Sequence, residues 1–495
     1  MSREIKIVDG AVYDRAVRTF AARGITLPTL ASLEDPTRIP EAARRALRGV
    51  DPDAASPANL YRVHWYNDEA RTGTVDVPGH VVLPRALTGV DAPVVVLFGD
   101  RFPMIHAHKV LAAYGVLVHR LVTGRFDPSR DRALWPSTGN YCRGGVAISR
   151  ILGCRGVAIL PAEMSAERFA WLDRWVTHPE DVVKTPGSES NVKEIYDACA
   201  RLSREPTNVV LNQFAEMSNH LAHYAVTGGA LARVYEHLRA SRPSLRAAAF
   251  VSASGSAGTL GAGDRLKDRY GAKVVVAEAL ECPTLLRNGF GSHQIQGIGD
   301  KHVPYIHNVM NTDVVCAVSD ASTDALYHVF NDPAGLEALA ASRELSDEVM
   351  RALPHMGISS VCNVLAAIKT AKTLGLGADD AILTVATDGA AMYASELPRI
   401  LASRFDGRFD RTAARAALAR HLDGAGPEHT LELRREDRDR IFNLGYFTWV
   451  EQQGVPLADF EARRDLGWWR DLHATIPAWD DAIRAFNAAV AEAGA

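Results

Sequence analysis

Along this chain, short wholly apolar runs alternate with longer stretches whose apolar residues recur every three to four positions. The runs are VVVLFGD from Val94, GVAILPAE from Gly156, NVVLNQF from Asn208, AAAFVSASGS from Ala247, KVVVAEAL from Lys273, DVVCAVS from Asp313 and AILTVATDG from Ala381. Each has the length of a buried strand and is rich in Val, Ile or Ala. A strand apolar on both faces belongs in a parallel sheet covered by helices. The helical period appears in KVLAAYGVLVHRLV from Lys109, SAERFAWLDRWV from Ser165, NVKEIYDACARL from Asn191 and TGGALARVYEHL from Thr227. It returns in LSDEVMRALPHMG from Leu345 and SVCNVLAAIKTAKTLG from Ser360. Strand followed by helix followed by strand predicts an α/β protein with parallel sheet. Outside this region the pattern changes. The first 75 or so residues, and the charged then aromatic tail from about residue 428, offer helices without clear strands. Both are expected to pack on the core or on a second subunit.

A length of 495 residues exceeds one ordinary core and predicts two domains with appendages. The 55 basic and 59 acidic residues leave a net charge of −4, which gives no reason to expect nucleic acid or an anionic membrane as partner. No apolar run approaches the length of a membrane span. The opening MSREIKIVDGAVYDR has no apolar core of a secretory signal. The six cysteines, Cys142, Cys154, Cys199, Cys282, Cys316 and Cys362, form no CxxC pair. Buried free thiols and a cytoplasmic location are the expectation.

Several strands are expected to end in small or polar residues just before a helix, at Ser137–Asn140, Ser252–Thr259 and Thr387–Gly389. Open α/β sheets bind ligands beyond such carboxyl ends. The strongest local signal is SASGSAGTLGAGDRLKDRYG from Ser252. Its glycines let the backbone turn and approach a ligand closely, and its N–H groups and helix start favour an anion. It lacks the GK[ST] of a Walker loop and the order of a dinucleotide fingerprint. By itself it also suits a glycine-rich helix start with no ligand.

Four segments in one order carry a family resemblance. GSAGTLGAGDRLKDRYGAKVVVAE resembles the phosphate cup of cysteine synthases and their relatives, the fold type II pyridoxal-phosphate (PLP) enzymes. HQIQGIGDKHVP from His293 is similar to the cysteine-synthase signature. WPSTGNYCRGGVAISRILGCRGVAILPAEMSAERFAWL resembles the substrate loop, its adjoining helix and the segment containing Met-Ser. NQFAEMSNHLAHYAVTG from Asn212 resembles the family's Gln-Gln-Phe segment. The resemblance covers residues 78 to 400. It implies two domains, each with a parallel-rich sheet flanked by helices, plus N- and C-terminal helical extensions. The expected division is 1–77 for the N-terminal extension, 78–106 with 226–427 for a large cofactor-binding domain, 107–225 for a small substrate-loop domain, and 428–495 for the C-terminal extension.

The family holds PLP as a Schiff base on a lysine upstream of the substrate loop. Lys109 follows an apolar run, opens a helix, and is the only lysine between residues 10 and 183. Such an amine binds the cofactor and, once displaced by substrate, is free as a base beside Cα. The resemblance further implies Asn140 on the cofactor's 3′-oxygen and Gly255, Ser256, Ala257, Gly258 and Thr259 around its phosphate. It places Thr387 at the pyridine nitrogen; alternation along the strand lets only one of Thr387 and Asp388 face the ring, and Asp388 is expected to cap the next helix, a common task for Asp at such a turn. Ser137, Thr138, Gly139, Tyr141 and Gln213 are expected to receive the substrate carboxylate. The implied activity is β-elimination or β-replacement on an α-amino acid through an aminoacrylate, by a homodimer. Dehydration, γ-elimination, racemisation and a non-catalytic PLP-binding regulator are the alternatives.

This sequence also departs from the family. The lysine sits in AHKVL, without the usual flanking Ser and Arg. Tyr141 and Cys142 replace a small Thr-Gly, and GAAMY replaces Gly-Glu-Arg-Tyr. These changes keep a cofactor site and leave the identity of the leaving group and nucleophile open. His220 and His223 lack a carboxylate or Cys at metal-ligand spacing, so both are expected as surface or packing residues and no metal is expected. His106 and His108 are expected beside the lysine, one orienting substrate or both lining the pocket. Trp468 and Trp469 are expected to dock the tail rather than line a lid.

Overall fold

The computed structural model describes residues 5–137, 139–189, 191–299 and 301–495. Its strands are β1 (His80–Leu83), β2 (Val94–Phe98), β3 (Arg132–Pro136), β4 (Arg155–Pro161), β5 (Val182–Thr185), β6 (Asn208–Val210), β7 (Arg246–Ala253), β8 (Lys273–Ala279), β9 (Val314–Val318), β10 (Asp380–Ala386) and β11 (Thr430–Glu432). They form a seven-stranded sheet in the order β1-β2-β10-β7-β8-β9-β11 and a four-stranded sheet in the order β5-β4-β3-β6. Within the larger sheet only the edge pairs β1–β2 and β9–β11 are antiparallel, and the smaller sheet is parallel throughout.

Every apolar run read from the sequence is a strand. β2, β9 and β10 are buried along their whole length, as strands covered on both faces must be. The unexpected strands lack that signature: β11, for example, is a short, half-exposed edge strand, TLE. The tail is therefore not wholly helical. Its Thr430–Glu432 pairs antiparallel with β9 and closes that edge of the large sheet.

Both extensions pack on the core of their own chain. One apolar cluster holds Phe20 of the N-terminal helix Gly10–Arg23, Leu117 and Trp135 of the core, and Trp469, Trp479 and Phe486 of the tail. Phe486 meets Phe20 and Tyr13 edge-on, with ring centroids 5.1 and 5.4 Å apart. The Asp480 carboxylate accepts the N–H groups of Leu30 and Ala31 at 2.6 and 3.0 Å, satisfying the start of helix Leu30–Glu34. The Asn487 amide bonds both the N–H and the C=O of Leu27. Trp468 and Trp469 are buried in this docking, as expected. All six cysteines are free thiols, and only Cys154 is partly exposed. No described helix is long and apolar enough to cross a membrane.

Burial makes this fold acid-sensitive. Desolvation holds the imidazoles of His64, His108 and His307 at about 3 and those of His119, His293 and His302 at about 4. Unfolded histidines titrate near 6.5. Below that pH the unfolded chain binds protons that the folded chain refuses, so stability falls as pH drops from about 6.5 toward 3–4. Burial also raises Asp264, Glu278 and Asp320 to about 7, which works the other way over a similar range. Per group the two effects are each about 2 kcal/mol between pH 7 and 5, and the histidines are more numerous. The melting temperature should therefore fall from pH 7 to pH 5, and His64→Gln should flatten that slope. Thermal scans across this range check it, and a protein more stable at pH 5 contradicts it.

Candidate active site

The site lies where the carboxyl ends of β2, β10 and β7 face the end of β3. The loop after β2 is fastened to the exit of β10: His108 N–H donates to the Thr387 carbonyl at 3.1 Å, and Ala107 bridges Asp388. Lys109 then opens the helix Lys109–Val122 and projects its amine across the cavity. Its Nζ lies 3.0 Å from Ser256 Oγ and 3.2 Å from Gln213 Oε1.

The glycine loop follows β7 and leads into the helix Leu260–Tyr270. Ala257 adopts a left-handed φ of 65°, a conformation found in the anion-binding nests of successive backbone N–H groups. A side chain at Gly258 would put its Cβ 2.3 Å from Asn219 Oδ1, so this position admits only glycine. Ser256 Oγ also accepts from Asn219 Nδ2 at 3.2 Å, which fixes its rotamer. A glycine loop, two hydroxyls (Ser256 and Thr259) and a helix N-terminus at the cavity are groups suited to hold a phosphate. Gly255 through Thr259, Asn140, Thr387 and Lys109 all line the one cavity. These residues fit PLP.

On the opposite wall, Ser137 and Tyr141 line the cavity with Gln213 and Phe214. Ser137 Oγ accepts the Gly139 N–H at 3.0 Å. Thr138 lies outside the described residues. A Cβ on Gly139 would fall 2.8 Å from the Arg168 side chain. The Tyr141 hydroxyl donates to the Leu211 carbonyl at 3.0 Å, so its phenol is committed to the scaffold. Gln213 Nε2 points to the Pro136 carbonyl, 3.4 Å away. His108 lines the cavity, with Trp65 and His223 packed behind it as an aromatic wall, and Thr259 Oγ1 lies 3.4 Å from His108 Nε2. Burial, and then the nearby Lys109 charge, hold His108 neutral. His106 instead faces the surface beside Asp53, 3.3 Å away, and takes no part in the wall.

Asp388 requires a correction. The turn after it, Ala390–Glu396, has no side-chain cap, so Asp388 caps no helix. Its carboxylate is fully buried and accepts from Asn140 Nδ2 and the Tyr393 hydroxyl, both at 2.6 Å. Arg143 donates to Asn140 Oδ1 at 2.9 Å, and Arg168 donates to the Tyr393 hydroxyl at 3.1 Å. Arg168 also reaches Gln296 Oε1 at 2.9 Å and Glu189 at 3.1 Å. Burial raises the Asp388 carboxyl even though the hydroxyl and the guanidinium groups favour its charge. Thr387 points the other way and shares a hydrogen bond of 2.7 Å with Ser359 Oγ.

Sequence reading missed Ser359, Asn219, Arg168 and Tyr393. No spacing marks them, because they act on the site residues from separate elements. Gln296 and Gly297 lie within HQIQGIG, a segment legible as a motif without showing which of its side chains meets the network. His220 and His223 are both buried, packing rather than surface residues.

A family model described as pyridoxal-phosphate dependent enzyme matches residues 99–388. Cysteine synthase B of Campylobacter jejuni is 29% identical over 59% of this chain and 86% of the relative. A Staphylococcus aureus cysteine synthase is 29% identical over 55% of this chain and 78% of the relative. In structure, the O-acetylserine dependent cystathionine beta-synthase from Helicobacter pylori matches with a TM-score of 0.53 at 19% identity, over 65% of this chain and 95% of its own. A hydrogen sulfide-producing enzyme from Fusobacterium nucleatum gives 0.52 at 20%, over 64% and 96%. These structural likenesses establish the shared fold.

Asp388→Asn should cost about 1.5–3 kcal/mol of unfolding free energy, the worth of a charge-assisted hydrogen bond. A helix cap would lose almost nothing in the same exchange, since Asn caps as well as Asp. Urea titration separates the two, and an unchanged stability would remove Asp388 from its role of holding Asn140.

Proposed function

We propose that this chain, which belongs to the pyridoxal-phosphate dependent enzyme family, is a lyase or transferase that acts at Cβ of an α-amino acid by elimination or replacement. One observation carries the reading: the Lys109 amine stands between the glycine loop and Gln213, while the neutral Thr387 hydroxyl, backed by Ser359, lines the cavity and no carboxylate among the described residues does. Bound PLP supplies an electron sink for the Cα–H bonding pair. Lys109 would hold the cofactor and would supply the amine that takes the proton from the substrate's Cα. Gln213 and Ser256 steer its amine between these tasks. The neutral His108 and the aromatic wall exclude water without offering a rival base.

The Asp388 carboxylate is spent on Asn140 and Tyr393. Thr387 would then offer a bound cofactor's ring nitrogen a neutral hydroxyl and no carboxylate, an environment that would favour loss of a Cβ group over return of the proton to Cα. Racemisation, dehydration and γ-elimination are the less favoured readings on the same scaffold. The similarity to cysteine synthases supports the choice.

Borohydride reduction and peptide mapping should label Lys109, and Lys109→Ala should abolish turnover. A panel of β-substituted amino acids should release pyruvate and ammonia, or yield a β-replaced product when a thiol is added. Thr387→Val should slow that turnover by about ten- to a hundredfold, as expected for a lost polar contact of about 1.4–2.8 kcal/mol. Labelling of another lysine would overturn the site, and racemisation outpacing elimination would overturn the reaction.

A further inference from the structure

His220, on the helix Met217–Ala222, Asp264, on the helix Leu260–Tyr270, and His473, at the end of the helix Leu466–His473, come together in the interior from three separate parts of the chain. Their ligand atoms all lie within 4.8 Å of one another, and each residue is buried. The two imidazoles face each other through Nε2, 2.9 Å apart, and His220 Nε2 is 3.6 Å from Asp264 Oδ2. Zinc bonds nitrogen and oxygen at about 2.0–2.2 Å, so neighbouring donors around a tetrahedral ion stand about 3.3–3.5 Å apart. The two separations made by His220 fall on either side of that value, each within about half an ångström of it.

The surroundings are those of a metal site. Asn308 and Asn311 each donate to one Asp264 oxygen at 2.7 Å, which orients the carboxylate. Among the described residues no Lys or Arg forms an ion pair with Asp264, so a buried carboxylate is left with amides and an imidazole as partners. The ring of Tyr224 stacks on His473 at 3.9 Å, and Trp469 lies against His220. Behind His473, its Nδ1 has no hydrogen-bond partner among the described residues and stands 3.9 Å from the Asp268 carboxylate. A carboxylate behind a ligating histidine is the usual outer partner in zinc sites. A divalent ion would offset the cost of burying the Asp264 carboxylate.

We infer that His220, Asp264 and His473 bind a divalent transition-metal ion of the zinc class, fastening the C-terminal extension to the helix behind the glycine loop. No metal is expected from the sequence because the three ligands share no local spacing. Asp264 stands one turn into the helix that starts after Thr259, and His220 follows Gln213 closely. The ion is therefore structural in place and tied to both walls of the cofactor cavity.

The full-length holoenzyme, stripped with a chelator and dialysed against Zn2+ or Co2+, should retain stoichiometric metal by mass spectrometry. With Co2+ it should show the visible d–d bands of a tetrahedral ion. His473→Ala and Asp264→Asn should each lower that retention at least tenfold, with folding checked by circular dichroism. Should both variants fail to fold, anomalous diffraction from Zn2+-soaked wild-type crystals decides, with a peak expected between the two imidazoles. Wild-type protein that retains neither metal, variants that retain it fully, or a missing peak would each overturn the site in favour of a plain imidazole–imidazole hydrogen bond.

Discussion

The buried carboxylate of Asp388 is the constraint around which the two sheets are arranged. It leaves the end of β10 in the larger sheet and takes its hydrogen bonds from Asn140, which opens the helix after β3 in the smaller one, and from Tyr393. A charge taken fully out of water costs several kcal/mol unless hydrogen bonds and opposite charges surround it. Arg143 and Arg168 supply those charges at one remove. The orientation of Asn140, and with it the wall of the cofactor cavity, follows from satisfying that one group. Arg168 extends the same network to Glu189 and Gln296, and the Gly297 N–H donates to that Glu189, so the HQIQGIG segment is held by hydrogen bonds to a buried ion pair.

The Lys109 side chain is held by a different device. The Lys109 amine donates to neutral groups, Gln213 and Ser256. Its helix is anchored through backbone: the bridge of Ala107 to Asp388 and the bond from His108 N–H to Thr387. Ionic and backbone ties converge on the same two residues at the end of β10. Thr387 presents its side chain to the cavity and Asp388 presents its own to the scaffold, the alternation expected of an extended chain.

Much of this was legible in the sequence. The apolar runs marked the parallel strands because burial on both faces leaves no polar positions to obscure them. Lys109 stood out by its isolation, and the glycine loop by its composition. What escaped was whatever depends on residues far apart in the chain. Asp388 reads as a cap because Asp before a turn commonly caps, and nothing local reveals Asn140 or Tyr393 opposite it. Tyr141 reads as a substrate-loop hydroxyl until Leu211 is seen to take it. β11 reads as part of a helical tail because a short, half-exposed edge strand carries no periodicity.

The clasp between the two extensions bears on how the protein is made. The N–H groups that start the helix Leu30–Glu34 are satisfied by Asp480, 450 residues away along the chain. At roughly 5–20 residues per second of synthesis, that partner leaves the ribosome some tens of seconds after Leu30 does. Throughout that interval Phe20 and its neighbours have no Phe486 to cover them. The nascent protein thus carries an exposed apolar N-terminal surface for most of its translation, the kind of surface chaperones retain and aggregation recruits.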